Sequence, residues 1–319
     1  MKKTAVCDLL SITYPVLQGG MLWLADAGLA AAVSNAGGLG VISPLAGASP
    51  SADAVAHLSG QIQQVRTLTA KPLGINLPLD LRDVGLLINA ALEQGVDAVI
   101  TAAGDPAVYT GLLKSGGITV LHVVSTVKHA KKAEEAGADA VIAEGVEAAA
   151  RNGFDESPLF SLLPQVVDAV DIPVIAAGGI ADARGMAAAF ALGAQGIQMG
   201  TRFLMTRECI ANADYKKAIL AAGDTDTIIT LRKLIPSRSL KNTGFTHGLL
   251  ALEQEGASSE ELKQFLGHAA SRTAGIEGDL ENGEAYCGAS AGLINDIPPV
   301  KSVIDRMVAD WDSVVQKLL

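Results

Sequence analysis

The chain has few aromatic residues and few cysteines for its length. Aromatic residues make up 4% of the 319 residues, and there are three cysteines. Cys7, Cys209 and Cys287 lie far apart and form neither a CxxC pair nor a zinc-ligand spacing. This odd, dispersed set is typical of reduced cytosolic thiols and argues against a disulfide framework. The histidines show no metal-ligand spacing either, so we predict no metal site.

Long apolar runs and excess positive charge are also missing. No stretch offers the roughly 18 uninterrupted apolar residues of a membrane-spanning helix. The first residues are not followed by an apolar run of signal-peptide length. The net charge of −10 argues against a nucleic-acid or anionic-membrane surface. We therefore expect a cytoplasmic protein that has neither a nucleic acid nor a membrane as partner.

The chain is rich instead in a repeated pattern of strand, glycine turn and helix. Eight short β-rich runs alternate with alanine-rich amphipathic segments, for example residues 84–94 and 183–191. Such alternation predicts a parallel sheet covered by helices. The candidate strands are residues 14–18, 39–43, 72–77, 98–102, 119–124, 138–144, 173–177 and 196–200.

The last two strands end in glycine turns that have the form of a phosphate-binding site. They read IPVIAAGGI (172–180) and GIQMGTRF (196–203). Gly178, Gly179 and Gly200 let the backbone approach a ligand, and the helix amides that follow bind phosphate. A (β/α)8 barrel binds phosphate at the turns after its strands 7 and 8. We therefore predict a (β/α)8 TIM barrel. An open doubly wound sheet remains the alternative, because it shows the same alternation.

The alternation stops after about residue 205. Residues 207–285 have the pattern of helices and polar connections, with no convincing strand, and a further helix is predicted after Pro298 and Pro299. We therefore predict that residues 1–206 and 287–319 form the barrel. Residues 207–286 are predicted to form a mostly helical insertion or cap.

Three other strand ends carry candidate ligand contacts. QGGM places Gly20 and Met21 after strand 1, where glycine lets a flat ring lie against the backbone. GINLP places Asn76 at the mouth of strand 3, where its amide can hydrogen-bond a heterocycle. His122, near the end of strand 5, could be an acid or base. Each residue can also be an ordinary turn or strand-mouth residue, and these alternatives stay open.

Taken together, these strings resemble one family. PVLQGGMLWLADAGLAAAVSNAGGLGVI, GINLP, GADAVIAEGVEA, IPVIAAGGI and GIQMGTRF occur here in the order and spacing of nitronate monooxygenases, formerly called 2-nitropropane dioxygenases. These are FMN-dependent barrel enzymes, and the flavin-dependent enoyl-ACP reductases of bacteria belong to the same superfamily. The resemblance continues through PSRSLKN and CGASAGLINDI, so it covers nearly the whole chain.

The resemblance implies an FMN-dependent oxidoreductase that acts on a small activated or acyl substrate. The substrate would be a small molecule or an acyl group on a carrier. The electron donor would be NADH, NADPH or the substrate itself, and a homodimer is left open.

The same resemblance assigns the cofactor contacts. Gly20 and Met21 would contact the isoalloxazine ring, and Asn76 would hydrogen-bond the flavin. The glutamate at position 144 is more similar to the reductase branch, because the monooxygenases typically have glutamine there. Glu144 would approach the polar edge of the flavin or its ribityl chain. The phosphate would lie between the two glycine turns, contacted by Gly178 and Gly179 on one side and by Met199, Gly200 and Thr201 on the other, with Gln198 beside them.

The chain departs from the family after the sixth strand. The family usually reads EAGGHxG, whereas this chain reads EAAARNG at 147–153, so Arg151 replaces the active-site histidine and Ala149 and Ala150 replace glycines. Arginine stays protonated and cannot act as a general base, but it can bind an anion or stabilise an oxyanion. Arg151 and His122 are therefore the candidate substrate contacts, and the catalytic residues remain unknown. Two alternatives stay open: a flavin-binding protein with little or no turnover, and a non-flavin barrel enzyme that binds a phosphate.

Overall fold

The computed structural model describes residues 3–267 and 269–317. Its strands are β1 (Val16–Gln18), β2 (Gly40–Ile42), β3 (Leu73–Pro78), β4 (Ala98–Ala102), β5 (Thr119–Val124), β6 (Ala140–Glu144), β7 (Ala150–Arg151), β8 (Val174–Ala177), β9 (Gly196–Met199), β10 (Thr227–Thr230) and β11 (Ser237–Leu240). Each predicted strand overlaps an observed one, with ends that differ by no more than two residues.

Helices follow most of these strands. They are α1 (Ala5–Leu10), α2 (Ala27–Asn35), α3 (Ala54–Leu68), α4 (Val84–Glu93), α5 (Thr110–Ser115), α6 (Val127–Glu135), α7 (Leu159–Val167), α8 (Ala183–Ala191), α9 (Thr201–Leu204), α10 (Ala213–Leu220), α11 (Gly244–Gln254), α12 (Ser259–Leu266), α13 (Ala270–Arg272) and α14 (Val300–Gln316). Among the described residues, no helix combines the length and the hydropathy needed to cross a bilayer.

Eight parallel strands form the predicted barrel. Strands β2, β3, β4, β5, β6, β8 and β9 pair in that order, and β9 pairs with β1. A parallel bridge between Leu17 and Leu39 joins β1 to the start of β2 and completes the ring. The open-sheet alternative is wrong, because the first strand pairs with the last one and also contacts the second.

Apolar side chains fill the barrel, and α1 closes its N-terminal end. Val6 and Leu10 of α1 join one buried cluster with Leu17, Leu121 and Ile142 from the strands. The opposite end, where the strands have their carboxyl termini, is therefore the end available for a ligand. The three cysteines are buried and free, in agreement with the prediction of reduced thiols.

A second, antiparallel sheet lies beside the barrel mouth. It consists of β10, β11 and β7, so a segment after the barrel pairs with the loop that follows β6. The prediction that residues 207–285 contain no strand is therefore wrong. The sequence signal was weak because β11 reads SRSL and depends on pairing with β7 instead of on an apolar run. The segment is otherwise helical, and its boundaries as a cap remain a prediction.

Candidate active site

A cavity of about 700 Å³ lies at the carboxyl ends of the barrel strands. Its wall comes from the strand-end turns on one side and from the second sheet on the other. All twelve predicted site residues line it, namely Gly20, Met21, Asn76, His122, Glu144, Arg151, Gly178, Gly179, Gln198, Met199, Gly200 and Thr201. The structure brings these residues together in one place. Their individual roles stay predictions.

The two glycine turns have the geometry of an anion site. Gly178 and Gly179 have φ angles of 96° and 73°, in the left-handed region that favours glycine. A side chain at Gly200 would meet no atom within 4 Å, so this turn faces open space. Helix α9 begins just after Gly200 without a side-chain cap, which leaves its first amides free for a ligand.

Gly20 is required for a reason that the sequence did not suggest. A Cβ atom at Gly20 would overlap the amide of Asn76, so the missing side chain lets Asn76 lie against the first loop. The Asn76 Nδ2 donates to the carbonyl of Ile100 at 3.3 Å, which fixes the orientation of the amide. Gly20 therefore positions a polar side chain at the cavity wall.

Gln198 presents an acceptor that nothing in the described residues satisfies. Its side chain is 8% exposed and lines the cavity, and its Oε1 has no hydrogen-bond partner there. Buried polar atoms are normally paired, so an unpaired acceptor at a cavity indicates a missing donor. A ligand N–H or O–H would satisfy it.

Glu144 is a half-buried carboxyl group at the end of β6. No hydrogen bond or ion pair to it occurs among residues 3–267 and 269–317. Burial raises its pKa to about 7, because the low-dielectric surroundings disfavour the charged form. The neutral form of this carboxyl is therefore favoured more than that of a solvent-exposed glutamate.

His122 is a buried histidine whose neutral form is favoured. Burial is the main cause that lowers its pKa to about 4, and the nearby His129 contributes. Thr101 Oγ1 donates to the carbonyl of Leu121 at 3.2 Å and lies 2.7 Å from His122 Nδ1. The contact with Thr101 orients the imidazole through Nδ1 and leaves Nε2 without a hydrogen-bond partner among the described residues.

Arg151 is held at the rim of the cavity. Its guanidinium contacts the carboxylate of Asp80 at 2.5 Å, and both side chains are more than 40% exposed. An exposed ion pair of this kind is worth no more than about 1 kcal/mol, so an anionic ligand can exchange with Asp80. The preceding residue, Ala150, has a φ of 63°, an unusual angle for a residue with a Cβ atom.

A second group of polar residues, not predicted from the sequence, lies in the same cavity. Tyr286, Glu284 and Ser271 line the wall opposite the barrel strands. The buried Glu284 accepts a hydrogen bond from Ser239 Oγ at 3.1 Å, and a side-chain hydrogen bond joins it to Tyr286. The alternation of Glu284, Ala285 and Tyr286 was the available signal, since residues two apart share one face of an extended segment.

Comparison with known proteins places this geometry among redox enzymes. The family model described as nitronate monooxygenase matches residues 3–310. A curated protein of Rhodococcus jostii, a (3aS,4S,5R,7aS)-5-hydroxy-7a-methyl-1-oxo-octahydro-1H-indene-4-carboxyl-CoA dehydrogenase, is 35% identical over 97% of this chain and 95% of its own. A probable nitronate monooxygenase of Staphylococcus saprophyticus is 33% identical over 98% and 99%. The structure of FabK from Thermotoga maritima superposes with a TM-score of 0.93 at 42% identity, covering 100% of this chain and 99% of FabK.

Proposed function

Because the chain belongs to the nitronate monooxygenase family and is thus an oxidoreductase, we propose that it binds FMN and acts on an acyl thioester. One observation carries the cofactor proposal. The two glycine turns and the unpaired Gln198 acceptor face the same cavity, which thus offers an anion site and a polar contact. The phosphate of FMN suits the anion site, and the polar atoms of its ring suit the Gln198 acceptor.

The residues present fit FMN better than FAD. The turns at Gly178–Gly179 and at Gly200 converge on one anion site, and the sequence has no dinucleotide fingerprint for an adenylate. In our proposal these turns hold the phosphate, while Asn76 and Gln198 hydrogen-bond the ring. FMN would supply two-electron transfer, and the protein would bind and orient the substrate.

The thioester substrate is supported by the charge at the rim and by one relative. The relative from Rhodococcus jostii acts, by its name, on a carboxyl-CoA compound. A thioester carbonyl acidifies the neighbouring C–H bond, and the enolate that forms carries its charge on oxygen. In our proposal the guanidinium of Arg151 leaves Asp80 and binds that oxygen.

The proposed electron donor is NADH or NADPH for reduction, or the substrate itself for dehydrogenation. The acyl group would arrive on coenzyme A or on an acyl-carrier protein. A homodimer and a cytoplasmic location remain expectations from the sequence.

Identification of the cofactor tests this proposal first. The purified protein should be yellow, and heat or acid should release FMN, which chromatography separates from FAD. NADH, NADPH or a saturated acyl-CoA should then bleach the bound flavin under anaerobic conditions. A colourless protein that takes up no FMN would support the non-flavin barrel. A flavin that no donor bleaches would support the binding protein without turnover.

A further inference from the structure

Tyr286 and Arg151 lie on the same face of the second sheet and beside the same edge of β11, because β10 occupies the other edge. Arg151 pairs with Ser237, and Tyr286 forms an antiparallel bridge with Ser239. Opposed residues of antiparallel strands point to the same face, as do residues two apart on one strand. Both side chains line the cavity. Their partners on β11 are two residues apart, so the two backbones lie roughly 7 Å apart along that edge, a distance that these long side chains can close over one ligand.

Glu284 is a hydrogen-bond partner of the Tyr286 side chain. It is 3% exposed and forms no ion pair among the described residues, although it accepts hydrogen bonds from Ser239 and Tyr286. Burial raises its pKa to about 7. A buried carboxyl group without a cation destabilises the fold when charged, so its presence beside a cavity points to a functional role.

The surroundings keep the Tyr286 phenol protonated. Burial is the main cause that raises its pKa well above its usual value, and Glu284 adds to this rise. The charge of Arg151 and a hydrogen bond from Ser271 act in the opposite direction. The other titratable neighbours, Tyr215 and Cys287, are neutral groups whose pKa values are also raised by burial. Tyr286 is therefore a proton donor at neutral pH, and it can accept a proton only by passing its own to Glu284.

We propose that Tyr286 is the catalytic residue that transfers the proton at the α-carbon of the substrate, with Glu284 as its proton reservoir. In the deprotonation direction the α C–H bond breaks and its electron pair stays on the substrate as the enolate. The α-proton goes to the Tyr286 oxygen as the phenol proton goes to the Glu284 carboxylate. Protonation is the reverse. The inference rests on the proposed acyl-thioester substrate, whose enolate oxygen Arg151 would hold.

The first test measures, with no substrate present, how the charge of Glu284 affects the pKa of Tyr286. The chain has four tyrosines, so a sample labelled with ¹³C at tyrosine Cζ gives four signals, and Tyr286→Phe assigns one. In Glu284→Gln the pKa of Tyr286 should fall, because the negative charge that disfavours the phenolate is gone. In Arg151→Ala it should rise. A Tyr286 titration that Glu284→Gln leaves unchanged would overturn the coupling.

The second test measures the proton transfer without oxidation. Phenylacetyl-CoA has an acidic α-CH₂ group but no hydrogen on the β-carbon, so it can exchange with D₂O but cannot be dehydrogenated. Tyr286→Phe should slow enzyme-dependent α-exchange by roughly 10²- to 10⁴-fold, the usual contribution of a general acid–base. Tyr109→Phe is the matched control, because Tyr109 does not line the cavity. The Tyr109→Phe variant should exchange the α-protons as fast as the wild type.

The outcomes separate this inference from the proposed function. If the wild type exchanges and Tyr286→Phe does so equally fast, the role of Tyr286 is wrong. If His122→Gln then abolishes exchange, the base is the His122 imidazole. If the wild type binds FMN but exchanges neither this nor any other acyl thioester, the substrate class is wrong, and the proposed role of Tyr286 fails with it.

Discussion

Replacement of Glu284 by glutamine should change how the stability of the protein depends on pH. Burial raises the pKa of Glu284 from 4.5 to about 7. The folded state therefore binds a proton more tightly than the unfolded state. The stabilisation from this proton is fully present below about pH 4.5, declines as the pH rises, and is lost above about pH 7. Each pH unit between the two pKa values corresponds to about 1.4 kcal/mol, so the loss amounts to about 3 kcal/mol.

Glutamine keeps the shape of the side chain and one acceptor oxygen, but it cannot ionise. At about pH 4.5 the variant and the wild type should therefore unfold at similar urea concentrations. At about pH 8 Glu284→Gln should be more stable, by up to about 3 kcal/mol. Glu281→Gln, which removes an exposed carboxylate from the same segment, is the control for the loss of one charge. If Glu284→Gln were equally or less stable than the wild type at about pH 8, Glu284 would not be a buried carboxyl group without a compensating cation.

Four further predictions concern the cavity. Gly200→Asp should abolish FMN retention, measured as released flavin, because a carboxylate would face the phosphate; Gly200→Asn, of equal size but neutral, should lose less. Arg151→Ala should lower kcat/KM for an anionic substrate by about one to two decades, because one charge-assisted hydrogen bond is lost. The same variant should leave kcat/KM for a neutral quinone acceptor nearly unchanged. Arg151→Lys should restore part of the loss. Oxidation of a nitronate, followed by oxygen uptake, should be weak, and Arg151→His should increase it by supplying the missing base. Ala150→Gly should raise the free energy of unfolding by about 0.5–1 kcal/mol, because glycine adopts the φ of 63° without the strain that a Cβ atom causes.

Each of these predictions has a contrary result. Full flavin occupancy in Gly200→Asp would mean that the phosphate lies elsewhere. Equal losses for the anionic and neutral substrates would give Arg151 a structural role. Rapid nitronate oxidation by the wild type would show that another base, such as His122, replaces the family histidine. A less stable Ala150→Gly variant would show that the turn at Ala150 is not strained.

The barrel was predictable because its signals are local. Each strand is an apolar run that a glycine turn follows, and helices such as α8 have the expected periodicity with a clear N-cap at Asp182. The strand ends differ by a residue or two, since pairing partners decide where a strand stops. The second sheet was missed because β11 is polar, and its pairing with β7 joins residues that are more than eighty positions apart. No window of sequence contains that information.

The candidate site was predictable in part for the same reason. The turns at Gly178 and Gly200 follow barrel strands, so the topology alone brings them together. Arg151 was recognised as a departure from a motif, but its pairing with Asp80 depends on the folded loops. Glu284 and Tyr286 belong to no motif, and the alternation of Glu284, Ala285 and Tyr286 alone does not mark them as site residues. Their importance comes from burial and from the bridge between Ser239 and Tyr286, which only the fold creates.

Strand β11 lies between β10 and β7, so residues around the cavity should differ in how well they tolerate mutation. Arg151 and Tyr286 take their direction from the register of this one strand, and a slip of one residue turns side chains to the opposite face. A single-residue deletion between Thr230 and Ser237 should therefore remove both groups from the substrate at once, while the glycine turns on the barrel keep their shape. Over evolutionary time, changes in a short connector can therefore alter this wall of the cavity while the barrel and its glycine turns stay the same.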